Sequence, residues 1–351
     1  MNILHINTEK TWRGGEQQVL YLVKGLRERK HQSTIICQPH SPMSEMAMRD
    51  GFAVEEIKMR GGFDLLAIRR IARIMRKDYD IVHLHTANAH TLGVLASLLS
   101  GRRTKIVASR RVSFPIKNLF RRLKYNATDM VIAVSESVRQ GLIDNGIPPE
   151  KVVSIHSSVD PGRFSGRKAT SSDLIVGTIA HLAEHKGHKY LIEAAKVVLS
   201  AKPDVKFILA GNGEIRTELE NQVTALGISE NVIFLGFQSD VGKIINSCTI
   251  TVLPSISGEG SPGVLKESMA AGIPVITTDI GGSTEIVDDG ITGLVVPPMD
   301  SRALAFAITR LLTDEGLRKR IAEEGFRRVG EFTVDRMVER TELVYESLIA
   351  G

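Results

Sequence analysis

Two carboxylates with seven residues between them, Glu259 and Glu267, bracket the turn Ser261-Pro262-Gly263-Val264. An apolar run at 249–253 precedes the turn as a strand, 263–271 follows as a helix, and 274–277 forms the next strand. Ser is a favoured N-cap and Pro a favoured first helical residue, so the helix is expected to be capped by Ser261 and to begin at Pro262. The amides of Gly263 and Val264 then lie at the positive end of the helix dipole, where an anion such as phosphate is favoured. Carboxylates beside a phosphate site suit hydroxyl groups, from which they accept hydrogen bonds. A phosphate flanked by a ribose and a sugar ring, both rich in hydroxyls, describes a nucleotide-sugar.

Other residues with chemistry to offer lie at strand-to-helix turns. Gly14-Gly15 separates a first strand at 2–6 from a helix at 16–29, where a glycine pair lets a ligand approach the backbone. The spacing is not GxGxxG, which counts against a dinucleotide-binding dehydrogenase. His83, His85 and His90 allow a metal reading that no acidic or cysteine ligand accompanies. A packed or hydrogen-bonded role suits His83, while His85 falls at the carboxyl end of its strand, where α/β folds bind ligands. Arg110 and Arg111 end the next strand and suit a phosphate or carboxylate. His181, His185 and His188 also allow a metal reading, but a helix would set the first and last on awkward faces.

The strands that carry these turns are expected at 33–37, 53–57, 80–84, 104–108, 130–134 and 152–155, then at 174–179, 205–211 and 231–236. Helical patterns lie between most of them, as at 65–75 and 89–99, and imply parallel sheets covered on both faces. Helices are also expected at 304–312, 317–329 and 334–349. Residues 157–172, with Pro161, Gly162, Gly166 and a Ser-rich end, read as a linker.

Glu259 and Glu267, followed by Ala270-Ala271-Gly272-Ile273-Pro274-Val275 and Gly281-Gly282, resemble the donor site of family 4 retaining glycosyltransferases. Lys186-Gly187 and Gly14-Gly15 add to the resemblance, which runs from Gly14 to the last helix. It implies an α/β GT-B fold: two Rossmann-like domains with parallel sheets facing across a cleft, and a C-terminal helix crossing back to the first domain. The acceptor-side domain would hold 1–165 and about 334–351, and the donor-binding domain 166–333. The activity implied is transfer of a sugar, with retention, from a nucleotide diphosphate to a hydroxyl acceptor, expected from the family's range and the basic first domain to be a lipid-linked or lipopolysaccharide-type envelope glycan. Glu259, Lys186 and His85 would be catalytic. Gly14, Gly15, His181, Lys186, Gly211, Asn212, Gly213, Phe237, Glu259, Gly263, Val264, Leu265 and Glu267 would bind the donor, and Arg110 and Arg111 would lie on the acceptor side. The nucleotide-sugar is a substrate, no cofactor is implied, and no metal is required if cations and amides neutralise the diphosphate. The chain departs from the family at His181, where an Arg is usual, at Arg110, near the place of a usual His, and at Ser157-Ser158, in place of Asn-Gly. An epimerase of the same fold, or a non-catalytic nucleotide-sugar-binding scaffold at a membrane, would use the same donor pocket.

Composition sets bounds. The 351 residues are 42% hydrophobic and 24% charged, ordinary for a globular chain of two domains. No apolar run reaches 18 residues, and Met1 leads straight into a strand, which reads as neither a membrane span nor a signal peptide. Two isolated cysteines, Cys37 and Cys248, make no disulfide framework and fit a cytoplasmic protein. Residues 1–168 carry 28 Lys and Arg against 15 Asp and Glu, a balance of +13, and the remainder carries −8. Such a split suggests different partners for the two halves, or solubilising surface charge. The segment 114–124, with Phe114, Leu119 and Phe120 beside Lys117, Arg121, Arg122 and Lys124, fits a peripheral place on an anionic membrane surface or a packed helix with a solvated basic face. Nucleic-acid motifs and aromatic stacking platforms are lacking.

Overall fold

The computed structural model describes residues 1–102, 104–112, 119–164 and 174–350, and of 119–122 the backbone alone. The strands are β1 (Asn2–Ile6), β2 (Gln32–Cys37), β3 (Ala53–Glu56), β4 (Ile81–Leu84), β5 (Lys105–Arg110), β6 (Met130–Ala133), β7 (Val152–Ser154), β8 (Ile175–Ile179), β9 (Lys206–Ala210), β10 (Val232–Gly236), β11 (Ile250–Leu253), β12 (Val275–Thr278) and β13 (Leu294–Val296). The helices are α1 (Gly14–Glu28), α2 (Pro42–Arg49), α3 (Leu65–Ile74), α4 (Ala87–Ser100), α5 (Leu119–Asn126), α6 (Glu136–Asp144), α7 (His188–Ala201), α8 (Arg216–Ala225), α9 (Val241–Ser247), α10 (Gly263–Ala270), α11 (Ser301–Thr313), α12 (Glu315–Arg328) and α13 (Val334–Ala350).

Two compact units result. Unit 1 comprises Met1–Ser157 and Val334–Gly351, and unit 2 comprises Ser158–Thr333. The chain leaves unit 1 at Ser157, inside the stretch expected as a linker, and an isolated bridge between Val159 and Thr333 lies wholly in unit 2.

Unit 1 is built on a seven-stranded parallel sheet of order β3-β2-β1-β4-β5-β6-β7. Its strands are short and apolar because both faces are covered: Ile3, Leu4, Ile6, Ile35, Ile36, Val82 and Leu84 are buried. The order reverses between β1 and β4, where Ile3 pairs with both Ser33 and Ile81. Helices on either side of that switch point leave a crevice at the carboxyl ends of β1 and β4. The last helix, α13, belongs to this unit and lies against α1. A Cβ on Gly25 would come within 2.4 Å of Val338, so glycine permits that approach. Tyr345 of α13 is fully buried among Ile3, Leu22, Leu26 and Ile81.

Unit 2 repeats the plan with the six-stranded parallel order β10-β9-β8-β11-β12-β13. Its switch point lies between β8 and β11, where Ile250 pairs with Val176. Val176, Phe207, Ile250, Val252 and Ile276 bury one face of the sheet with α7 and α11. The turns that follow β8 and β11 are the segments that carry Lys186 and Glu259.

Candidate functional site

In unit 2 the turn after β8 runs through Ala180, His181 and a short 3-10 turn at Glu184–Lys186, closed by Gly187 at φ +68°. A Cβ on Gly187 would lie 2.0 Å from the Pro254 carbonyl, so only glycine lets this turn press against the start of the loop after β11. The Ile256 amide donates to the His185 carbonyl at 2.8 Å and fastens the two loops together. The consequence is a direct ion pair: Lys186 Nζ stands 2.6 Å from Glu259 Oε1. Ser255 Oγ donates to the same oxygen at 2.5 Å, and Glu259 is only 5% exposed. Lys186 has three N–H donors and the carboxylate has a second oxygen, so both keep capacity for a ligand.

Helix α10 opens at Gly263 with Pro262 as its N-cap and no side-chain cap. The sequence placed Ser261 at the cap and Pro262 inside the helix. Instead Ser261 Oγ accepts from Lys266 Nζ at 2.9 Å, because Lys266 is fully buried and requires an acceptor there. The amides of Gly263, Val264 and Leu265 thus start the helix without a protein oxygen capping them from a side chain. Glu267 is half-buried, and its Oε1 lies 3.5 Å from where a Gly263 Cβ would be. Burial raises its carboxyl above the usual range, opposed by the charges of Lys266 and Arg163. The Gly282 amide donates to the Glu259 backbone carbonyl at 3.2 Å, which draws the Gly281-Gly282 turn to the same loop.

Gly211, Asn212 and Gly213 follow β9. Gly211 has φ +148°, and a Cβ there would fall 1.9 Å from the Ala180 carbonyl. Phe237 follows β10 with 70% of its surface exposed. His181 is exposed, and its Nε2 lies 3.1 Å from Glu214 Oε2. His188 is buried with neither ring nitrogen hydrogen-bonded, and burial lowers it to about 4. His181, His185 and His188 form no ligand cluster among the described residues. A cavity of about 620 Å³ in unit 2 lies at the opposite, amino ends of β11 and β12, and its lining includes none of these residues.

In unit 1 Gly14 and Gly15 open helix α1 rather than forming a turn ahead of it, and this helix start is held by a residue that the sequence reading passed over. Glu16 is buried, with Oε1 accepting from Asn7 Nδ2 and Oε2 from the Arg13 amide, both at 3.1 Å. This is the return half of a capping box, hidden in the sequence because Arg13 occupies the cap position. Arg111 lies beside Gly15, its Cδ 3.7 Å from where a Gly15 Cβ would be. Burial lowers the Arg111 guanidinium to about 10, Glu16 pulls it back up, and its Nε has no partner. Arg110 closes β5 and is half-buried.

The histidines regroup. His90 leaves the expected trio, bonding Thr128 Oγ1 at 2.8 Å through Nε2, and His5 of β1 takes its place. Strand pairing of His5 with His83 brings together residues 78 positions apart. His5 Nδ1 and His85 Nε2 are 3.0 Å apart, and His83 bonds Tyr345 at 2.5 Å and Ser109 at 2.8 Å. All three are buried; burial lowers His5 to about 3 and drives His83 and His85 well down. Three converging imidazoles are the donor set of an open zinc site. Here both nitrogens of His83 are already bonded, the facing nitrogens of His5 and His85 share a hydrogen, and the positive charge of Arg111 further lowers His83 and His85. The set fits a neutral hydrogen-bonded cluster better than a cation. His85 retains one unpartnered nitrogen, Nδ1.

Of the basic segment 114–124, residues 114–118 and the side chains of 119–122 lie outside the described residues. Lys124 does not join a basic surface: it is buried, with Nζ donating to the Ala87 carbonyl at 3.2 Å and reaching Thr91 Oγ1 at 3.4 Å. No helix among the described residues is long and apolar enough to cross a membrane. Cys37 and Cys248 are both free and buried.

Comparison with known proteins places this arrangement. A phosphatidyl-myo-inositol mannosyltransferase of Mycobacterium leprae is 28% identical over 357 residues, 95% of this chain and 93% of that protein. The UDP-Gal:alpha-D-GlcNAc-diphosphoundecaprenol alpha-1,3-galactosyltransferase of Escherichia coli is 24% identical over 82% of this chain and 81% of its own. The crystal structure of Anabaena Alr3699/HepE in complex with UDP-glucose superposes with a TM-score of 0.87 at 22% identity, over 99% of this chain and 100% of that one, which shows the GT-B fold. Residues 12–163 match the model of Glycosyltransferase Family 4, and residues 164–328 that of Glycosyl transferases group 1. With successive family models spanning both units, the chain belongs to the group 1, family 4 glycosyltransferases.

Proposed function

We propose that the protein transfers a sugar, with retention of configuration, from a nucleotide diphosphate donor to a hydroxyl of a lipid-linked envelope glycan. The observation that carries the donor half is the Lys186–Glu259 pair beside the uncapped amides of α10, at the switch point of unit 2. Lys186 and the amides of Gly263 and Val264 would take the diphosphate and stabilise the charge that builds as it departs. Glu259 would accept from sugar hydroxyls and face the positive charge of an oxocarbenium-like transition state. Glu267 would hold the ribose, and Gly211, Asn212, Gly213 and Phe237 would meet the base. His181, tied to Glu214, would approach the diphosphate in place of the usual Arg. These cations and amides would neutralise the donor without a metal.

In unit 1, Gly14 and Gly15 would take part in donor binding, and His85, Arg110 and Arg111 would serve the acceptor. A phosphate on that acceptor gives Arg111 a counter-charge that its burial favours. The names of two relatives support this reading: one is a transferase from UDP-Gal to alpha-D-GlcNAc-diphosphoundecaprenol, the other a phosphatidyl-myo-inositol mannosyltransferase. We place the reaction at the cytoplasmic side, where nucleotide-sugars would meet such an acceptor.

The test is a thermal-shift screen of nucleoside diphosphates and their sugars, followed by transfer from the best donor to polyprenyl-diphosphate glycans, with the product anomer read by proton NMR. Selective stabilisation by one base and an unchanged anomeric configuration are expected. An inverted product, or conversion of the donor sugar without an acceptor, would overturn the reading, the latter in favour of an epimerase.

A further inference from the structure

Three polar side chains form a line across one face of the unit 1 sheet. Parallel pairing sets Ser33 of β2 opposite Ile3 and His83 of β4 opposite His5, so these side chains share a face. Ser33 Oγ lies 3.3 Å from His5 Nε2, and His5 Nδ1 lies 3.0 Å from His85 Nε2. The two rings are stacked, with centroids 5.3 Å apart. His5 is thus bonded through both nitrogens and His85 through one. His85 Nδ1, just beyond the carboxyl end of β4, is the inner end of the line and has no hydrogen-bond partner among the described residues. Both rings are buried, whereas Ser33 at the other end is partly open to water. His83 does not interrupt the line, because its nitrogens are taken by Tyr345 and Ser109.

Such a line has two satisfactory proton arrangements. A neutral imidazole carries one hydrogen, on either nitrogen. If His85 Nε2 carries it, His5 Nδ1 accepts, His5 Nε2 donates to Ser33, and His85 Nδ1 presents a lone pair. If His5 Nδ1 carries it, His85 Nε2 accepts, Ser33 donates to His5 Nε2, and His85 Nδ1 bears a hydrogen. Any mixture sets two hydrogens or two lone pairs face to face, where an unpaired buried polar group costs about 1–3 kcal/mol. The two rings therefore adopt the same tautomer and change it together. An imidazolium is disfavoured: burial depresses both rings, and the charge of Arg111, itself drawn up by Glu16, opposes a second cation at His85.

We propose that Ser33, His5 and His85 form a proton relay, which takes the proton of the acceptor hydroxyl at His85 Nδ1 and releases one to water at Ser33. The inference deepens the reading of His85 as an acceptor-side residue and rests on it. The acceptor oxygen bonds to the anomeric carbon as the bond to the diphosphate breaks, and its proton passes to His85 Nδ1. The Nε2 hydrogen of His85 moves to His5 Nδ1, the Nε2 hydrogen of His5 moves to Ser33 Oγ, and the Ser33 hydroxyl hydrogen leaves to water. No ring becomes charged, and the diphosphate departs with the electron pair of the broken bond. Reverse passage after product release resets the line, with a hydrogen leaving Nδ1 for water and another taken up at Ser33. His85 touches the substrate, and His5 and Ser33 act through it as positioning residues.

Two measurements on the full chain test this. Long-range proton–nitrogen NMR of histidine-labelled protein at neutral pH reads the tautomer of each ring, with His5→Gln and His85→Gln assigning the signals. The same tautomer in both rings, or averaged shifts that move together, is expected. Opposite tautomers, or an imidazolium in either ring, would overturn the proposal. The second measurement is hydrolysis of a nucleotide-sugar, with water as the acceptor, in mixtures of light and heavy water. The probe is whichever of UDP-galactose, UDP-glucose and GDP-mannose stabilises the fold most. Wild type is expected to show an isotope effect from several protons. Ser33→Ala and His5→Gln are expected to lose about tenfold or more in kcat with little change in KM, and Ser33→Thr, which keeps the hydroxyl, to recover it. Wild-type kcat in both Ser33→Ala and His5→Gln, or an isotope effect unchanged by either, would overturn the proposal. Thermal stabilisation by the probe should be equal in wild type and variants. Its absence in wild type would instead fault the donor-site reading and leave the relay to be decided by the tautomers.

Discussion

Lys186 and Glu259 form one unit, an ammonium 2.6 Å from a carboxylate that is almost wholly withdrawn from water. They lie 73 residues apart and come from the two turns that flank the switch point of unit 2. Removing either partner leaves the other a buried, uncompensated charge, which is more destabilising than losing both. Lys186→Ala should therefore lower stability by about 1–3 kcal/mol. The double variant with Glu259→Gln should recover part of that loss. Urea denaturation of both single variants and the double variant checks this. Additive losses would mean that the pair is not coupled.

Lys186→Ala should also raise the barrier to transfer by about 2.7–4 kcal/mol, the scale for losing a donor to developing negative charge. Turnover at saturating donor separates this effect from weakened binding. A variant with wild-type turnover would remove Lys186 from the chemistry.

Glu267 supplies a pH test. Burial raises its carboxyl above the usual carboxylate range, so it holds a proton at a higher pH than an exposed Glu. If the charged form accepts from ribose hydroxyls, binding releases that proton, and nucleotide affinity rises with pH through the raised value before levelling off. Glu267→Gln should flatten the profile, and Glu267→Ala should weaken binding by about 1–3 kcal/mol. Titration calorimetry from pH 5 to 8 measures both, and an identical slope in wild type and Glu267→Gln would contradict the assignment.

The imidazole cluster predicts acid sensitivity. His5, His83 and His85 stay neutral in the fold because burial depresses them, whereas the unfolded chain protonates near pH 6.5. Below that value the unfolded state binds more protons, so stability falls as pH drops, by up to about 1.4 kcal/mol per pH unit for each histidine. For His5 the loss continues toward about pH 3. Between pH 6.5 and 5, before most carboxylates titrate, the slope should report histidines. His5→Gln should reduce it in thermal melts, and an unchanged slope would mean that the cluster is open to water.

Gly187 and Gly211 give the backbone test. An added methyl would meet the Pro254 or Ala180 carbonyl at about 2 Å, and both residues have positive φ. Gly187→Ala should cost more than the roughly 1 kcal/mol of an unstrained Gly change and should pull Lys186 away from Glu259. A variant with unaltered melting and nucleotide affinity would show that the loops are not held by this contact.

Much of this site is legible locally. The short apolar strands and the spacing of Glu259 and Glu267 are properties of neighbouring residues, so periodicity and local spacing find them. What the sequence hides depends on strand adjacency. His5 joins His83 only because β1 and β4 pair across the switch point, while His90, near in sequence, turns to Thr128. Ser261 looks like a cap until the buried Lys266 claims its hydroxyl, and Lys124 looks like surface charge until α4 supplies the carbonyl that buries it. Glu16 escapes because its capping partner is an arginine, and β13 because three residues show no period.

Diphosphate recognition by Lys186 is the central claim, and calorimetric titration of the preferred nucleoside and its diphosphate into wild type and Lys186→Ala tests it most directly. Wild type should favour the diphosphate, and the variant should lose about tenfold or more of that preference while binding the nucleoside unchanged. Equal preference for the diphosphate in both proteins would contradict the account.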